Sequence, residues 1–514
     1  MDSFLLKLLN YLELTPEDYD KLRAPVTVGD LPDVSAFSSY FDFIARVEVA
    51  ITRDEEVLIY GDYDADGILA TSILKYAFMK RGKKVSTMIP SRYKDGYGIN
   101  RKIVEKLIKR DIHLIITVDN GVSQHEAIAL ARANGIDVLV SDHHEIGATR
   151  PNANAILHPL LSTLPSINSC GAYMALVISY GILGYYDDYL VTLAAIATIA
   201  DMMPLVGRNR TLVRLGIENV NQKQYFPLVR LSDGNYFDEN TFGMRIAPRI
   251  NALGRLSQNY EANILVEYFT TDDPKRIYEI AAYVERVYEE RKKMSKASDL
   301  TPEEMEHPAI VLISDELEGV LGLLAQSYVQ TFNKPSIVFT ESSENPTLLK
   351  GSARSSHGFN VVEAFAALKP LIIASGGHPE AGGLTIKRDD FSAFKHAFNG
   401  LAEANPLVAK EEKYFEVTFD EINVKNYEII NELAPFGFKW PSPKLSVLVN
   451  NPGILKTSRD GKHIISPLES GVKLVGFSLG EEIKNLKICT LYGHFSKSIF
   501  NGKPNIDFRI SILK

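Results

Sequence analysis

The stretch IYGDYDADGILATSIL, Ile59–Leu74, decides how this chain is read. An apolar run ends in three carboxylates at alternating positions, Asp62, Asp64 and Asp66, and a helix-like pattern follows from Gly67. A helix N-terminus attracts Asp through capping and the dipole, which accounts for one carboxylate, at most two. Three in alternation suit ligands of a hard cation.

The neighbouring sequence provides a test. From Glu56 to about Leu205, short apolar runs alternate with amphipathic helical patterns, as in EVLIY, KVSTMIP, HLIITVDN and DVLVSDHH. That alternation predicts a parallel sheet covered on both faces, with ligands beyond the carboxyl ends of its strands. Other strands should therefore also end in ligand residues. HLIITVDNG ends in Asp119, and DVLVSDHHE ends in Asp142, His143 and His144. The apolar helix YLVTLAAIATIADMMPL delivers Asp201 where its hydrophobic run stops. Each alone reads as a turn residue or a solvated helix end. Independent turns have no reason to gather Asp and His on one edge of one sheet, so together they predict a metal centre. Carboxylates with one or two imidazoles and no thiolate suit Mn²⁺ or Mg²⁺. So many carboxylates would repel one another around a single ion. Two divalent cations sharing a bridging carboxylate relieve that, and such pairs serve phosphoryl transfer to water.

Composition bounds the rest. The 514 residues are 45% hydrophobic and 23% charged, as expected of a globular chain with several domains. Two cysteines, Cys170 and Cys489, lie far apart, which argues against a disulfide framework and a thiolate zinc site. The N-terminus lacks the pattern of a signal peptide. The most apolar region is split by Asp187 and Asp188 into pieces short for a bilayer, so it predicts buried core helices, no membrane and a cytoplasmic protein. With a net charge of −8, any contact to nucleic acid must be local.

DYDADG, VDNG, SDHHE and ATIADMMPL together resemble the DHH phosphoesterase superfamily, and RIAPRINALGRL, Arg245 to Leu256, narrows this to the RecJ family of single-strand-specific 5′ to 3′ DNA exonucleases. GSARSSHGFNVVEAF and SGGHPEAGGLTI are similar to the DHH-associated domain of that family. The resemblance implies single-stranded DNA as substrate, a role in DNA repair and recombination, and two divalent cations, Mn²⁺ or Mg²⁺. Asp64, Asp66, Asp119, His143 and Asp201 would be metal ligands, with Asp119 the bridge and Asp62 an additional ligand. His144 would face the scissile phosphate, and Asp142 would orient a neighbouring imidazole. Ser352 and Arg354 would hold a terminal phosphate. Arg92 and Arg255 would support the strand, and Gly376, Gly377 and His378 would bring backbone N–H groups to an anion.

The implied fold is α/β. A parallel-sheet DHH domain spans residues 46–270, after an N-terminal helical segment, 1–45, whose first stretch, MDSFLLKLLNYLEL, is expected to be a helix that packs on it. A connecting helix at 271–305 leads to a DHH-associated α/β domain at 306–405, and 410–514 forms an OB-like β-barrel. In that barrel Tyr492, Phe495 and Phe500, with Lys497 and Lys503, are candidates to stack on and attract a strand, and FNGKPN signals a hairpin. The implied state is a monomer, with a helicase or single-strand-binding protein as partner. The chain departs from the family pattern at His158, Glu316-Leu317, Gln326-Ser327, and at FGFKWPSP, Phe436 to Pro443, where FGEGNPEP is usual. Two other readings remain: a phosphodiesterase for short oligonucleotides or cyclic dinucleotides, and an inactive scaffold in a replication complex.

Overall fold

The computed structural model describes residues 2–513 except 166, 344, 357, 406–411, 484, 485, 501 and 502; of residues 498–500, 503 and 504 it describes the backbone only. Three sheets organise the chain. The first contains β1 (Val57–Tyr60), β2 (Ser86–Met88), β3 (Leu114–Val118), β4 (Asp137–Ser141) and β5 (Ala155–Leu157), in the order β2-β1-β3-β4-β5. Every pair is parallel. Successive residues of a strand face opposite sides, and both sides are covered. Val57 and Ile59 join the core made by helices Ala65–Lys80, Gly171–Leu183 and Asp188–Ala200. Leu58 and Tyr60 join the core under helices Arg101–Leu107 and His125–Ala133.

The apolar region forms helices Gly171–Leu183 and Asp188–Ala200, both packed in the main core. Gly184, at φ 83°, ends the first, and Asp187 caps the second by accepting from the N–H groups of Tyr189 and Leu190. Among the described residues no helix is long and apolar enough to cross a membrane.

Helix Pro274–Met294, within the expected connecting segment, lays Ile277, Ile280, Ala281, Val284 and Val287, which recur at helical spacing, against the first domain and leads to the second sheet. That sheet contains β6 (Ile310–Ile313), β7 (Ser336–Glu341), β8 (Leu348–Arg354), β9 (Ala374–His378) and β10 (Ala381–Lys387), in the order β6-β7-β8-β10-β9. Only β6 and β7 run parallel.

The third sheet, β11-β12-β15-β16-β14-β13, is built from β11 (Phe415–Val417), β12 (Leu445–Val449), β13 (Ile464–Pro467), β14 (Val472–Gly476), β15 (Cys489–Phe500) and β16 (Lys503–Leu513). β15 and β16 pair antiparallel as the hairpin signal predicts; its turn residues, Asn501 and Gly502, lie outside the described residues. Arg210 fastens this domain to the first. Its buried guanidinium donates to the carbonyls of Leu433, Ala434 and Pro435 at 2.7, 2.9 and 2.8 Å.

Two expectations are corrected here. The N-terminal helix, Ser3–Leu12, does not cover the first domain: its Phe4, Leu8 and Leu9 complete the core of the third, joined by Tyr19 of the next helix, Pro16–Arg23. An amphipathic face declares that it will be buried, not against what. Phe495 is no stacking platform, since it lies in the barrel core against Phe508. Tyr492 is half-buried, its ring 4.5 Å from that of Tyr414, and the Lys497 ammonium sits 4.2 Å from the Tyr236 ring of the first domain. The side chains of Phe500 and Lys503 lie outside the described residues.

Candidate active site

After β2 the chain returns to the other side of β1, so the strand order reverses between β1 and β3. A crevice opens at such a point beyond the strand ends. Asp62, Asp64 and Asp66 follow β1, Asp119 follows β3, and Asp142, His143 and His144 follow β4, three adjacent strands. Asp201 caps the C-terminus of helix Asp188–Ala200.

The side chains converge. His143 Nε2 lies 3.0 Å from Asp119 Oδ1, 3.5 Å from Asp201 Oδ2 and 3.6 Å from Asp66 Oδ2. Asp62, Asp64 and Asp119 form a second group whose ligand atoms lie within 4.8 Å of one another. Asp119 thus belongs to one group and touches the other, as a bridge would. Some of this acid is also structural. Asp64 caps its own helix by accepting from the Gly67 N–H at 3.1 Å. Asp66 accepts from the N–H groups of Gly171 and Ala172, at 2.5 and 2.7 Å, and so caps helix Gly171–Leu183.

The electrostatics are those of a cation site. Burial, then the charge of Asp64, pushes the Asp62 carboxyl up to about 8. Burial, then Asp66 and Asp64, pushes Asp201 up to about 9, and Asp119 is raised well above the carboxylate range by burial and the same neighbours. Burial lowers His143, leaving a neutral imidazole able to ligate. Asp62 Oδ1, Asp119 Oδ1 and Asp201 Oδ2 are buried with no hydrogen-bond partner. Orphaned carboxylate oxygens aimed at one another fit a pair of divalent cations. Asp119 itself sits at φ 62°, left-handed backbone that few side chains other than Asp and Asn adopt.

His144 stands beside this group. Its Nδ1 lies 2.8 Å from Asp142 Oδ1 and 3.0 Å from the Tyr97 hydroxyl. Burial opposes its charge, but Asp142 prevails and holds the imidazole at about 9. Asp142 is anchored by the Val122 N–H. The departure at His158 lies behind the site, its Nε2 2.8 Å from the His144 carbonyl.

Of the predicted arginines, Arg92 lies within electrostatic reach of Asp62 and Arg255 of Asp64, and Arg354 lies within reach of Arg255. Arg92 stacks 4.4 Å from the Tyr63 ring, and Arg255 reaches the Gly319 carbonyl of the second domain at 3.1 Å. Arg354 donates to Ser352 Oγ at 3.1 Å. Burial, then the charges of Arg92, Arg291 and Arg354, lowers Arg255 to about 10. In the second sheet Arg354, Ala381 and His378 share one row, and Ser352, Gly383 and Gly376 the next on the same face. Small residues at 381 and 383 leave that face open from Arg354 to His378. Gly377 pairs with Gly382 in the alternate row.

Sequence reading missed several parts. Tyr97 touches His144, and its hydroxyl also donates to the Asp119 carbonyl at 3.3 Å. Arg291, on helix Pro274–Met294, joins the arginine group. Asn251 accepts from the Ala65 N–H at 2.8 Å and steadies the acidic loop. Gly171 lets a helix end approach the acids, since a Cβ there would stand 2.7 Å from that of Asp119. Asn251 lies in the motif RIAPRINALGRL, whereas Tyr97, Arg291 and Gly171 have no signal of their own in a single sequence.

The chain is similar to known proteins in each of its three domains. Residues 56–200 match the DHH family N-terminal domain, 308–404 the DHHA1 domain and 415–511 the RecJ OB domain. The single-stranded-DNA-specific exonuclease RecJ of Bacillus subtilis (strain 168) is 35% identical over 463 residues, 85% of this chain. This chain spans 58% of that relative's length. RecJ of Haemophilus influenzae is 28% identical over 469 residues, 83% of this chain and 81% of the relative. The crystal structure of RecJ in complex with Mn²⁺ from Thermus thermophilus superposes with a TM-score of 0.80 at 25% identity, covering 99% of this chain and 77% of that one.

Proposed function

The chain belongs to the RecJ family of DHH phosphoesterases, and from that premise we propose that it is a metal-dependent exonuclease degrading single-stranded DNA from its 5′ end, in DNA repair and recombination. The observation that carries the reading is the juxtaposition of the buried acidic groups meeting at Asp119 and His143 with the arginine group beside Asp62 and Asp64. One takes cations, and the other takes phosphate.

In this reading Asp64, Asp66, Asp119, His143 and Asp201 would hold two divalent cations, Mn²⁺ or Mg²⁺, with Asp119 as the shared ligand and Asp62 as a further one. When bound, the pair supplies an activated water and charge neutralisation at a phosphodiester. The remaining roles belong to side chains. His144, kept charged by Asp142, faces the scissile phosphate and stabilises its growing negative charge. Ser352 and Arg354, with Arg92, grip the terminal 5′ phosphate, and Arg255 stiffens the junction they share. The open face from Arg354 to His378, with Gly376 and Gly377 in the same strand, receives the first nucleotide. The protein would act in the cytoplasm, as a monomer, on strands freed by a helicase or coated by a single-strand-binding protein.

The test is digestion with Mn²⁺ of a long 5′-phosphorylated single strand, the same strand in blunt duplex, and a dinucleotide. The proposal requires fast 5′ release from the single strand and resistance of the duplex, whose diameter of about 20 Å exceeds a one-strand cleft. Faster turnover of the dinucleotide than of the long strand would favour the oligonucleotide phosphodiesterase. No turnover of any substrate would favour the scaffold.

A further inference from the structure

We propose that Phe438, Met202 and Met244 form a seat for a nucleobase of the single strand on the 3′ side of the scissile phosphate, with Lys439 holding an adjoining phosphate. This deepens the single-strand nuclease reading and rests on it. A cavity of about 360 Å³ lies between the end of helix Asp188–Ala200 and the segment Phe436–Phe438 of the third domain. Met202, Met244 and Phe438 line it and are 67%, 71% and 47% exposed. Single exposed apolar side chains need no explanation, but three from three segments around one cavity do. Two thioethers and a ring give soft, adaptable faces that accept any base.

The position identifies the occupant. Met202 follows Asp201, and Asn251, which also lines the cavity, holds the loop between Asp64 and Asp66. The cavity therefore continues from the acidic groups at Asp201, whereas the arginines border them at Asp62 and Asp64. A strand with its 5′ phosphate on the arginines and its scissile phosphate at the acids continues toward the cavity. Glu239 in the lining, its carboxyl pushed by burial up to about 7, suits the edge of a base better than a phosphate.

The segment itself adds an independent observation. Trp440 is accounted for by packing, because its Nε1 donates to the Leu433 carbonyl at 3.0 Å and Arg210 lies over its ring. Phe438 is held through its carbonyl, which accepts from the Leu205 N–H at 2.9 Å, leaving the ring free to line the cavity. Lys439 sits at φ 64°, backbone that glycine adopts freely and lysine does not, and its ammonium stands exposed 5.4 Å from the Phe438 ring. A strained lysine beside a ring that lines the cavity suggests work for its charge.

The test uses the full chain with Mn²⁺ and follows release of the first nucleotide from 5′-phosphorylated thymidylate 12-mers carrying one abasic residue at successive positions. For the wild type, KM should rise about five- to a hundredfold at one position, or at two adjacent ones, with kcat little changed. Phe438→Ala should raise KM on the intact strand and abolish the further rise at that register. Lys439→Gly should melt no lower than wild type, yet lessen the slope of log KM against log salt by about 0.7. A flat scan by an active wild type would overturn the seat, as would an undiminished register effect in Phe438→Ala. A Lys439→Gly variant that melts lower with its slope intact would remove the lysine from the proposal. If the wild type released nothing from the intact strand, the nuclease reading would fall, and the seat with it.

Discussion

Two regions of this molecule crowd charges of one sign, and they do it differently. The acids stand at the ends of β1 and β3, on the DHH segment after β4 and on one helix end, all within a single domain. The arginines come from a loop of the first domain, its helix Ala247–Arg255, the connecting helix and β8 of the second domain. In both places like charges raise the free energy of the unliganded protein, and a ligand of the opposite sign relieves it. The difference lies in what positions them. A sheet edge is set by the core beneath it, so the acids are preorganised whatever the second domain does. The arginine group is complete only while the two domains stay docked, through contacts such as the Gly319 N–H to the Tyr93 hydroxyl at 2.9 Å and Arg255 to the Gly319 carbonyl at 3.1 Å.

The largest test of this contrast is Asp119→Asn. Asn tolerates the left-handed backbone and removes only the charge. Activity should fall about a thousandfold or more at saturating Mn²⁺, measured as initial rates on a single strand. Stability should change sign with the cation. The Asp119 carboxyl is raised in the folded protein, so the native state holds a proton that the unfolded chain releases above its ordinary value. Without cations that contribution to stability is lost as pH rises above the carboxylate range. At neutral pH in EDTA the variant should therefore melt above wild type. In Mn²⁺ the order should reverse, because the wild type gains more binding free energy. Near-normal rates, or the same order of melting in both buffers, would break the account of Asp119 as a shared ligand.

The second test moves to the arginines and concerns direction. Cations hydrolyse any phosphodiester, so polarity must come from a group that recognises an end. Arg354→Ala should narrow the preference for 5′-phosphorylated over 5′-hydroxyl strands about ten- to a hundredfold, the worth of a charge-assisted contact. Paired initial rates on the two end-forms measure it. Equal loss on both forms would assign Arg354 to the scissile phosphate or to packing. The structure makes one packing role visible: Gly322 leaves the space its guanidinium fills, so a Tm for the variant belongs with the rates.

How much could be read without coordinates follows the same contrast. Asp62, Asp119 and Asp142 each stand within two residues of where an apolar strand run stops, so the strand rule that predicts the sheet also predicts the acidic edge. Arg291 follows no such rule. In YVERVYEERKKM it is one charge among many on an amphipathic helix, and only tertiary placement separates it from Lys292. Tyr97 lies between two glycines of a loop whose path no periodicity reports. Phe495 failed for a related reason. Strand alternation shows that Phe495 and His494 face opposite ways, but not which face the barrel closes over.

Arg291 offers the smallest and sharpest test. Its guanidinium lies 4.9 Å from the Tyr288 ring, and its Nε is buried without a partner. That arrangement has two readings: a side chain that packs on Tyr288, or a cation waiting for the phosphate that Arg354 also receives. They differ in sign. If Arg291 is packing, Arg291→Met should melt lower whether or not an anion is present, and phosphate should stabilise it as much as wild type. If it belongs to the phosphate group, removing one of several like charges should ease Arg255, which Arg291 helps to hold down at about 10. The unliganded variant should then melt no lower, while the rise in Tm with inorganic phosphate shrinks, because that rise follows ligand affinity. The loss of phosphate affinity should be about three- to tenfold, below that of Arg354→Ala, since Tyr288 already satisfies part of the guanidinium. Melting curves over a phosphate titration, wild type beside variant, separate the readings. A phosphate response unchanged by the substitution would confine the anion group to Arg92, Arg255 and Arg354.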